Sequence, residues 1–164
     1  MNVAPTPQLL FTEALFERMA ELAAAAYPFE GCGVLVGGLG EQGATVVRVI
    51  EGHNLVEDRR RDRYELDPRD IIKAERDARE SHLEVIGFFH THPDHPARPS
   101  QFDTDRAWPG YYYVVISVDA GQLGEATAWR LAVGEEPSRF EEVPLQGGHR
   151  GRGYNPPGLV AEAS

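Results

Sequence analysis

The sequence predicts a single mixed α/β (α+β) domain, on three observations. Two segments carry apolar residues at helical spacing, Thr12–Ala26 and Pro68–His82. Several runs of strand length, rich in apolar and β-branched residues, lie between and after them. The chain has 164 residues and 18.2 kDa, with 41% hydrophobic and 26% charged residues, which suits one domain with a sizeable core and not two.

In the first helix, Leu15, Met19, Leu22 and Ala26 fall on one side, Thr12 is placed to cap the start, and Pro28 ends it. Cys32–Val36, closed by Gly37 and Gly38, reads as a buried strand. Ala44–Ile50 pairs with it as the second arm of a hairpin. His53–Arg63 is polar and reads as a loop, followed by a short strand at Tyr64–Leu66. The second helix has Pro68 in its first turn, with Ile71, Ile72, Ala74 and Ala78 on one side. Val85–Thr91 is a strand, and the proline-rich Pro93–Pro99 is a loop. A short helix is expected over Ser100–Trp108 and the strongest strand over Tyr111–Asp119, with weaker strands at Ala126–Val133 and Arg139–Val143. After Gln146 the composition shifts to Gly, Pro and Arg. The domain is therefore expected over 1–146 and a flexible tail over 147–164.

Charge and cysteine usage narrow the classes of partner. Sixteen Lys and Arg against 26 Asp and Glu leave a formal charge of −10, the wrong sign for a broad phosphate-binding surface, so no nucleic-acid partner is expected. The longest apolar runs, Val85–Phe89 and Val114–Ile116, are far short of a membrane span. Cys32 is the single cysteine, so no internal disulfide forms, and Met1–Gln8 carries no basic residue ahead of an apolar stretch. Cytoplasmic placement is the expectation.

The chemistry concentrates in one segment. His90 and His92 are two apart at the end of an expected strand, so both imidazoles point to one face and can share one metal ion. Asp103 follows eleven residues beyond His92, across a loop that can fold back. Two histidines and one carboxylate with a fourth position open form a catalytic zinc set; structural sites are closed, usually by several cysteines. A water bound there needs a base. Glu30, in Glu30-Gly31-Cys32-Gly33 at the head of a buried strand, is the candidate.

Glu30, then His90-x-His92-Pro93, then Ser100 after the residues Pro93–Pro99, then Asp103 after two more, resembles the JAMM motif of the catalytic MPN-domain metalloproteases. Two flanking segments are similar too: Pro28-Phe29-Glu30-Gly31-Cys32-Gly33-Val34-Leu35-Val36-Gly37 and Tyr64-Glu65-Leu66-Asp67-Pro68. The likeness runs from about Leu9 to Val143 and is nearest to short stand-alone bacterial members. It implies a curved mixed β-sheet flanked by helices. It implies His90, His92 and Asp103 as ligands of Zn2+, Glu30 as the base, and Ser100 as a donor to the oxyanion. It also implies hydrolysis after the C-terminal glycine of a ubiquitin-like or sulfur-carrier protein ending in diglycine, with release of cysteine or another small adduct. Thr91 stands where many members have Ser, another small hydroxyl residue.

Plainer readings compete at several positions. Ser100-x-x-Asp103 is also a helix capping box, which is compatible with a site because it would fix Asp103. Asp94 and His95 are rival ligands within the loop. Cys32 reads as a small buried hydrophobe, Tyr111–Tyr113 as packing, and Gly147-Gly148 as linker. His53, His82 and His149 read as surface or loop residues. The basic run Arg59–Arg63 reads as a solvated loop, with an acidic partner protein as the alternative. Three other functions share the motif's neighbourhood: a non-catalytic MPN scaffold, a DNA-repair-associated sister group, and a peptidase of phage-tail or cell-wall components. The complete ligand set opposes the first, the Glu30 strand and the acidic balance the second, and the lack of an accompanying cell-wall hydrolase domain the third.

Overall fold

The computed structural model describes residues 7–57, 62–132, 134 and 136–147. Among them the chain runs β1 (Gln8–Phe11), α1 (Glu13–Ala26), β2 (Cys32–Gly40), β3 (Gly43–Glu51), α2 (Pro68–Glu80) and β4 (Glu84–Pro93). It continues with α3 (Gln101–Arg106), β5 (Tyr112–Asp119), β6 (Gln122–Leu131), β7 (Phe140–Val143) and β8 (Leu145–Gly147). The strands form one eight-stranded sheet in the order β7-β6-β5-β4-β2-β3-β1-β8. Its outermost strands β7 and β8 are joined through Pro144 alone, so the sheet curls until its ends meet. The mixed α+β class and the curved sheet flanked by helices are as expected.

The two faces bury different things. On one, α1 packs Phe16, Met19, Ala20 and Ala23 against Leu35, Val46, Ile86, Val114 and Ile116. On the other, Ala74 and Ala78 of α2 cover Val34, Val36, Val85 and Phe88. Strand alternation places His90 and His92 with Phe88 on the α2 face, and Phe89 and Thr91 on the α1 face. β4 lies inside the sheet, antiparallel to β2 and parallel to β5, so His90 is carried by backbone paired on both sides and His92 by backbone paired with β5.

Several expectations shift. Thr12 caps α1, its side chain accepting from the Leu15 amide at 3.3 Å, but the buried stripe is centred on Phe16 and Met19, with Leu15 and Leu22 only partly buried. Ile72 does not join the buried side of α2; it is 62% exposed. β2 continues through Gly37 and Gly38, where a Cβ on Gly37 would lie 1.9 Å from the Thr45 carbonyl oxygen of β3. Tyr64–Leu66 is no strand; only a bridge between Asn54 and Leu66 forms there. β1 and β8 were not expected. Both are short, and β1 pairs in parallel with β3 and β8, so no hairpin signal announces either. Gly147 belongs to β8, while the expected tail from 148 onward, with His149, lies outside the described residues. So do residues 59–61 of the basic run.

Candidate metal centre and active site

The site forms where β4 ends. His90 is 1% exposed and sits opposite Cys32 of β2 in the ladder. His92 donates from Nδ1 to the Pro96 carbonyl at 2.9 Å, which leaves its Nε2 lone pair directed into the site. The loop between β4 and α3 is pinned from β5, β6 and the turn joining them. The Ala120 amide donates to Asp94 at 2.7 Å, the Ser117 hydroxyl to the His95 carbonyl at 2.7 Å, and the Thr127 hydroxyl to the Ala97 carbonyl at 2.6 Å. Ser100 then caps α3 in a full capping box. Its Oγ accepts from the Asp103 amide at 3.0 Å, and its own amide donates to Asp103 Oδ2 at 2.8 Å. The box that reads as structural in the sequence thus fixes the carboxylate. Asp103 Oδ2 lies 3.1 Å from His90 Nε2 and 3.2 Å from His92 Nε2, and the two nitrogens are 3.2 Å apart.

Glu30 comes from the other direction, in the coil just ahead of β2, and is buried. Gly31 and Gly33 admit the close packing there: a Cβ on Gly31 would lie 2.7 Å from the Ala26 Cβ, and one on Gly33 2.2 Å from the Phe89 ring. Thr91, fully buried between the two histidines, accepts from the Gly31 amide at 2.8 Å, and its own amide donates to the Gly31 carbonyl at 2.9 Å. The segment carrying Glu30 and the strand carrying the two histidines are therefore tied directly. Ligand atoms of Glu30, His90 and His92 lie within 4.8 Å of one another. Glu30 Oε2 and His90 Nδ1 are buried without a hydrogen-bond partner. Tyr64 stacks on His90, ring centroids 4.4 Å apart.

The charges at this point are out of balance. Burial pushes the Glu30 carboxyl up to about 8, with Asp103 and Asp62 adding to the rise and His92 opposing it. Burial also acts to raise Asp103, but His90, His92 and the Ser100 amide outweigh it and hold that carboxyl well below the usual carboxylate range. His90 is lowered, chiefly by burial. For His92 burial opposes the charge, yet hydrogen bonds to Asp103 and Pro96 hold it above its ordinary value. Two imidazole nitrogens, one carboxylate oxygen and an orphaned carboxylate oxygen converge in a buried space. Acceptors gathered this way favour a cation. Tetrahedral zinc with bonds of about 2.0–2.1 Å separates its ligands by about 3.3 Å, close to the spacing of Nε2, Nε2 and Oδ2 here. The donor set fits zinc.

The sequence pattern of the prokaryotic homologs of the JAB domain, Prok-JAB, matches residues 12–132. The chain belongs to this family. Relatives of this Prok-JAB domain include the Desampylase of Haloferax volcanii, 33% identical over 108 residues, which are 65% of this chain and 76% of that protein. The Desampylase of Pyrococcus furiosus is 33% identical over 84 residues, half of this chain and 54% of that protein. Two solved structures share the fold. One, from Desulfitobacterium hafniense, has a TM-score of 0.70 at 29% identity, covering 84% of this chain and 92% of its own. The other, from Salinibacter ruber, has a TM-score of 0.61 at 36% identity, covering 81% and 88%.

The rival ligands of the Prok-JAB site fall away. Asp94 is occupied by the Ala120 amide and by the Tyr27 hydroxyl, which donates to it at 2.9 Å, and His95 is exposed. Cys32 is buried, and burial pushes its thiol up to about 12, far from a thiolate nucleophile. Three neighbours escaped the sequence reading as site residues: Tyr64, Thr91 and Asn54. Thr91 had a signal, its position between the histidines. Tyr64 and Asn54 reach the site through a loop whose closure no local pattern announces. Beside Asp103 a groove of about 180 Å³ opens between that loop and α3, lined by Tyr64, Leu66, Phe88, Phe102, Trp108 and Tyr113 among others.

Proposed function

We propose that this Prok-JAB domain is a zinc-dependent peptidase or isopeptidase that hydrolyses the bond after the C-terminal glycine of a ubiquitin-like or sulfur-carrier protein. The observation that carries the reading is the convergence of His90, His92 and Asp103 on one point with the unpartnered carboxylate oxygen of Glu30 beside it. Family membership and the name Desampylase borne by two relatives support a JAMM-type hydrolase acting on a ubiquitin-like modifier.

His90, His92 and Asp103 would hold the ion. Bound zinc supplies Lewis acidity at the scissile carbonyl and brings the pKa of a water to about 7. Glu30 takes the proton of the attacking water and passes it to the leaving amine. Its raised pKa suits a group that must both accept and return a proton near neutrality. The Ser100 hydroxyl accepts from the Asp103 amide and so keeps its own hydrogen to donate to the oxyanion. The apolar groove beside Asp103 gives room for the residues preceding the scissile glycine.

The test pairs elemental analysis with cleavage of a sulfur-carrier protein extended by cysteine after its terminal diglycine. About one zinc per chain is expected, with cysteine released. Glu30→Gln should keep the zinc and lose turnover by roughly 10²- to 10⁴-fold. Full activity in that variant sinks the mechanism, and absence of zinc after incubation with the ion leaves the partner-binding scaffold as the better reading.

A further inference from the structure

Glu30 precedes β2, so no ladder bond of that strand fixes its carbonyl. Its position depends on what grips its peptide groups from outside. On one flank, Thr91 holds the Gly31 amide. On the other, Asn54 Nδ2 donates to the Glu30 carbonyl at 3.3 Å. The same nitrogen donates to the Arg63 carbonyl at 3.1 Å, while Oδ1 accepts from the amides of Val56 and Glu65, each at 3.0 Å. A primary amide has two N–H donors and a carbonyl with two lone pairs, and here all four capacities are used. Asp offers no donor for the two carbonyls, and Ser is too short to span them.

These four bonds do two jobs at once. They close the neck of the loop that leaves at Asn54 and returns at Arg63–Glu65, where the backbone adds Leu55 amide to Glu65 carbonyl at 2.8 Å and Asp67 amide to His53 carbonyl at 2.9 Å. They also tie that neck to the base. The returning segment of the neck carries Tyr64, whose ring lies on His90.

We propose that Asn54 is a positioning residue that couples the pairing of this neck, 53–56 with 63–67, to the placement of Glu30. It touches neither substrate nor metal. It sets the carboxylate against the ligand cluster and holds Tyr64 over His90 with the same side chain. The inference rests on the proposed hydrolase reading, and the test separates the two.

Asn54→Asp keeps an acceptor for Val56 and Glu65 and loses both donors; Asn54→Ala loses all four bonds. Turnover is measured with the cysteine-extended sulfur-carrier protein, alongside zinc content, zinc affinity by chelator competition, and hydrogen exchange at the Val56 and Glu65 amides. Asn54→Asp should bind one zinc with near-native affinity and keep protection at those amides. Its kcat should fall roughly 10- to 100-fold with KM little changed. Asn54→Ala should lose as much kcat and, in addition, the amide protection. A purely structural role predicts instead that kcat follows the loss of protection, leaving Asn54→Asp near wild type, and that outcome overturns the proposal. Should Asn54→Asp fail to fold, Asn54→Ser takes its place, and wild-type kcat there overturns it equally. Glu30→Gln run beside them is the discriminator. If it is inactive while Asn54→Asp is fully active, only the coupling fails; if it is fully active, Glu30 is not the base and the coupling falls with it, whereas a wild-type protein that releases no cysteine fails the hydrolase reading.

Discussion

Two histidine–aspartate pairs in this chain have nearly the same contact distance and opposite meaning. His90 meets Asp103 at 3.1 Å and His53 meets Asp70 at 3.0 Å. The His90 side chain is 1% exposed and that of His53 is 78% exposed. At His90 the histidine is lowered chiefly by burial, a second imidazole shares the same aspartate oxygen, and Oε2 of a nearby glutamate is buried without a hydrogen-bond partner. At His53 the histidine is raised, first by its hydrogen bond to Asp70. The His53 amide donates to the same oxygen at 2.8 Å, so the contact is a latch between the strap after β3 and the first turn of α2. Contact distance therefore says little about function. Burial, and an excess of acceptors around one point, distinguishes the candidate metal centre.

The sharpest way to break this contrast is to delete one histidine from each pair. His92→Ala removes a donor from the convergent set and leaves Asp103 with one imidazole. Zinc measured by elemental analysis should drop from about one per chain to near zero. Turnover should fall by more than the roughly 100-fold that losing an outer-shell partner costs. His53→Ala should leave both unchanged. Equal zinc loss in the two variants would erase the distinction drawn between the pairs.

A smaller effect is expected at Thr91, which belongs to the buried region without being a ligand. Thr91→Val keeps the shape and removes the acceptor for the Gly31 amide, which would then lack a partner in a closed space. Thermal unfolding should report a loss of about 1–3 kcal/mol. Zinc should remain, because His90 and His92 are held by their own strand pairings. Turnover should decline along with the grip on Glu30. Unchanged stability would mean that the two segments are held together by packing alone.

The sequence makes the His90–Asp103 side of this region legible and the Glu30 side much less so. His90 and His92 obey strand alternation, and Ser100-x-x-Asp103 obeys helix capping, so local rules place all four of these side chains. That Glu30 joins them depends on the antiparallel pairing of β2 with β4, a long-range event that only the whole motif hinted at. The same limit explains β1 and β8, whose parallel pairing joins chain segments far apart in sequence. The buried stripe of α1 differs from the expected one because Leu15, Met19, Leu22 and Ala26 and the observed Phe16, Met19, Ala20 and Ala23 both satisfy helical spacing. Only the docking of the helix against β3, β5 and β6 selects between them. The sequence groups Ile72 with Ile71, Ala74 and Ala78 on one side, but the small Ala74 and Ala78 let α2 approach the sheet and leave Ile72 outside that contact.

The smallest effect belongs to the exposed latch, where the sign of the pH dependence is fixed by the direction of the shift. Asp70 raises the folded-state pKa of His53 above its ordinary value. Protonation therefore favours the folded state. The contribution is present in full below the unfolded-state pKa of about 6.5 and is lost as pH rises through the folded-state value. Asp70→Asn removes the charge and the carboxylate acceptor, so the His53 resonance followed by NMR should titrate near about 6.5 again. Thermal stability should then lose the part of its pH dependence that this window carries, with zinc content untouched. Because His53 lies in solvent, salt should weaken the wild-type shift in the same direction as the substitution, whereas zinc retention at the buried cluster should hardly respond. A His53 titration that stays raised in Asp70→Asn would show that Asp67 or Glu51 supplies the effect instead, and the latch would then reduce to the backbone bond of His53.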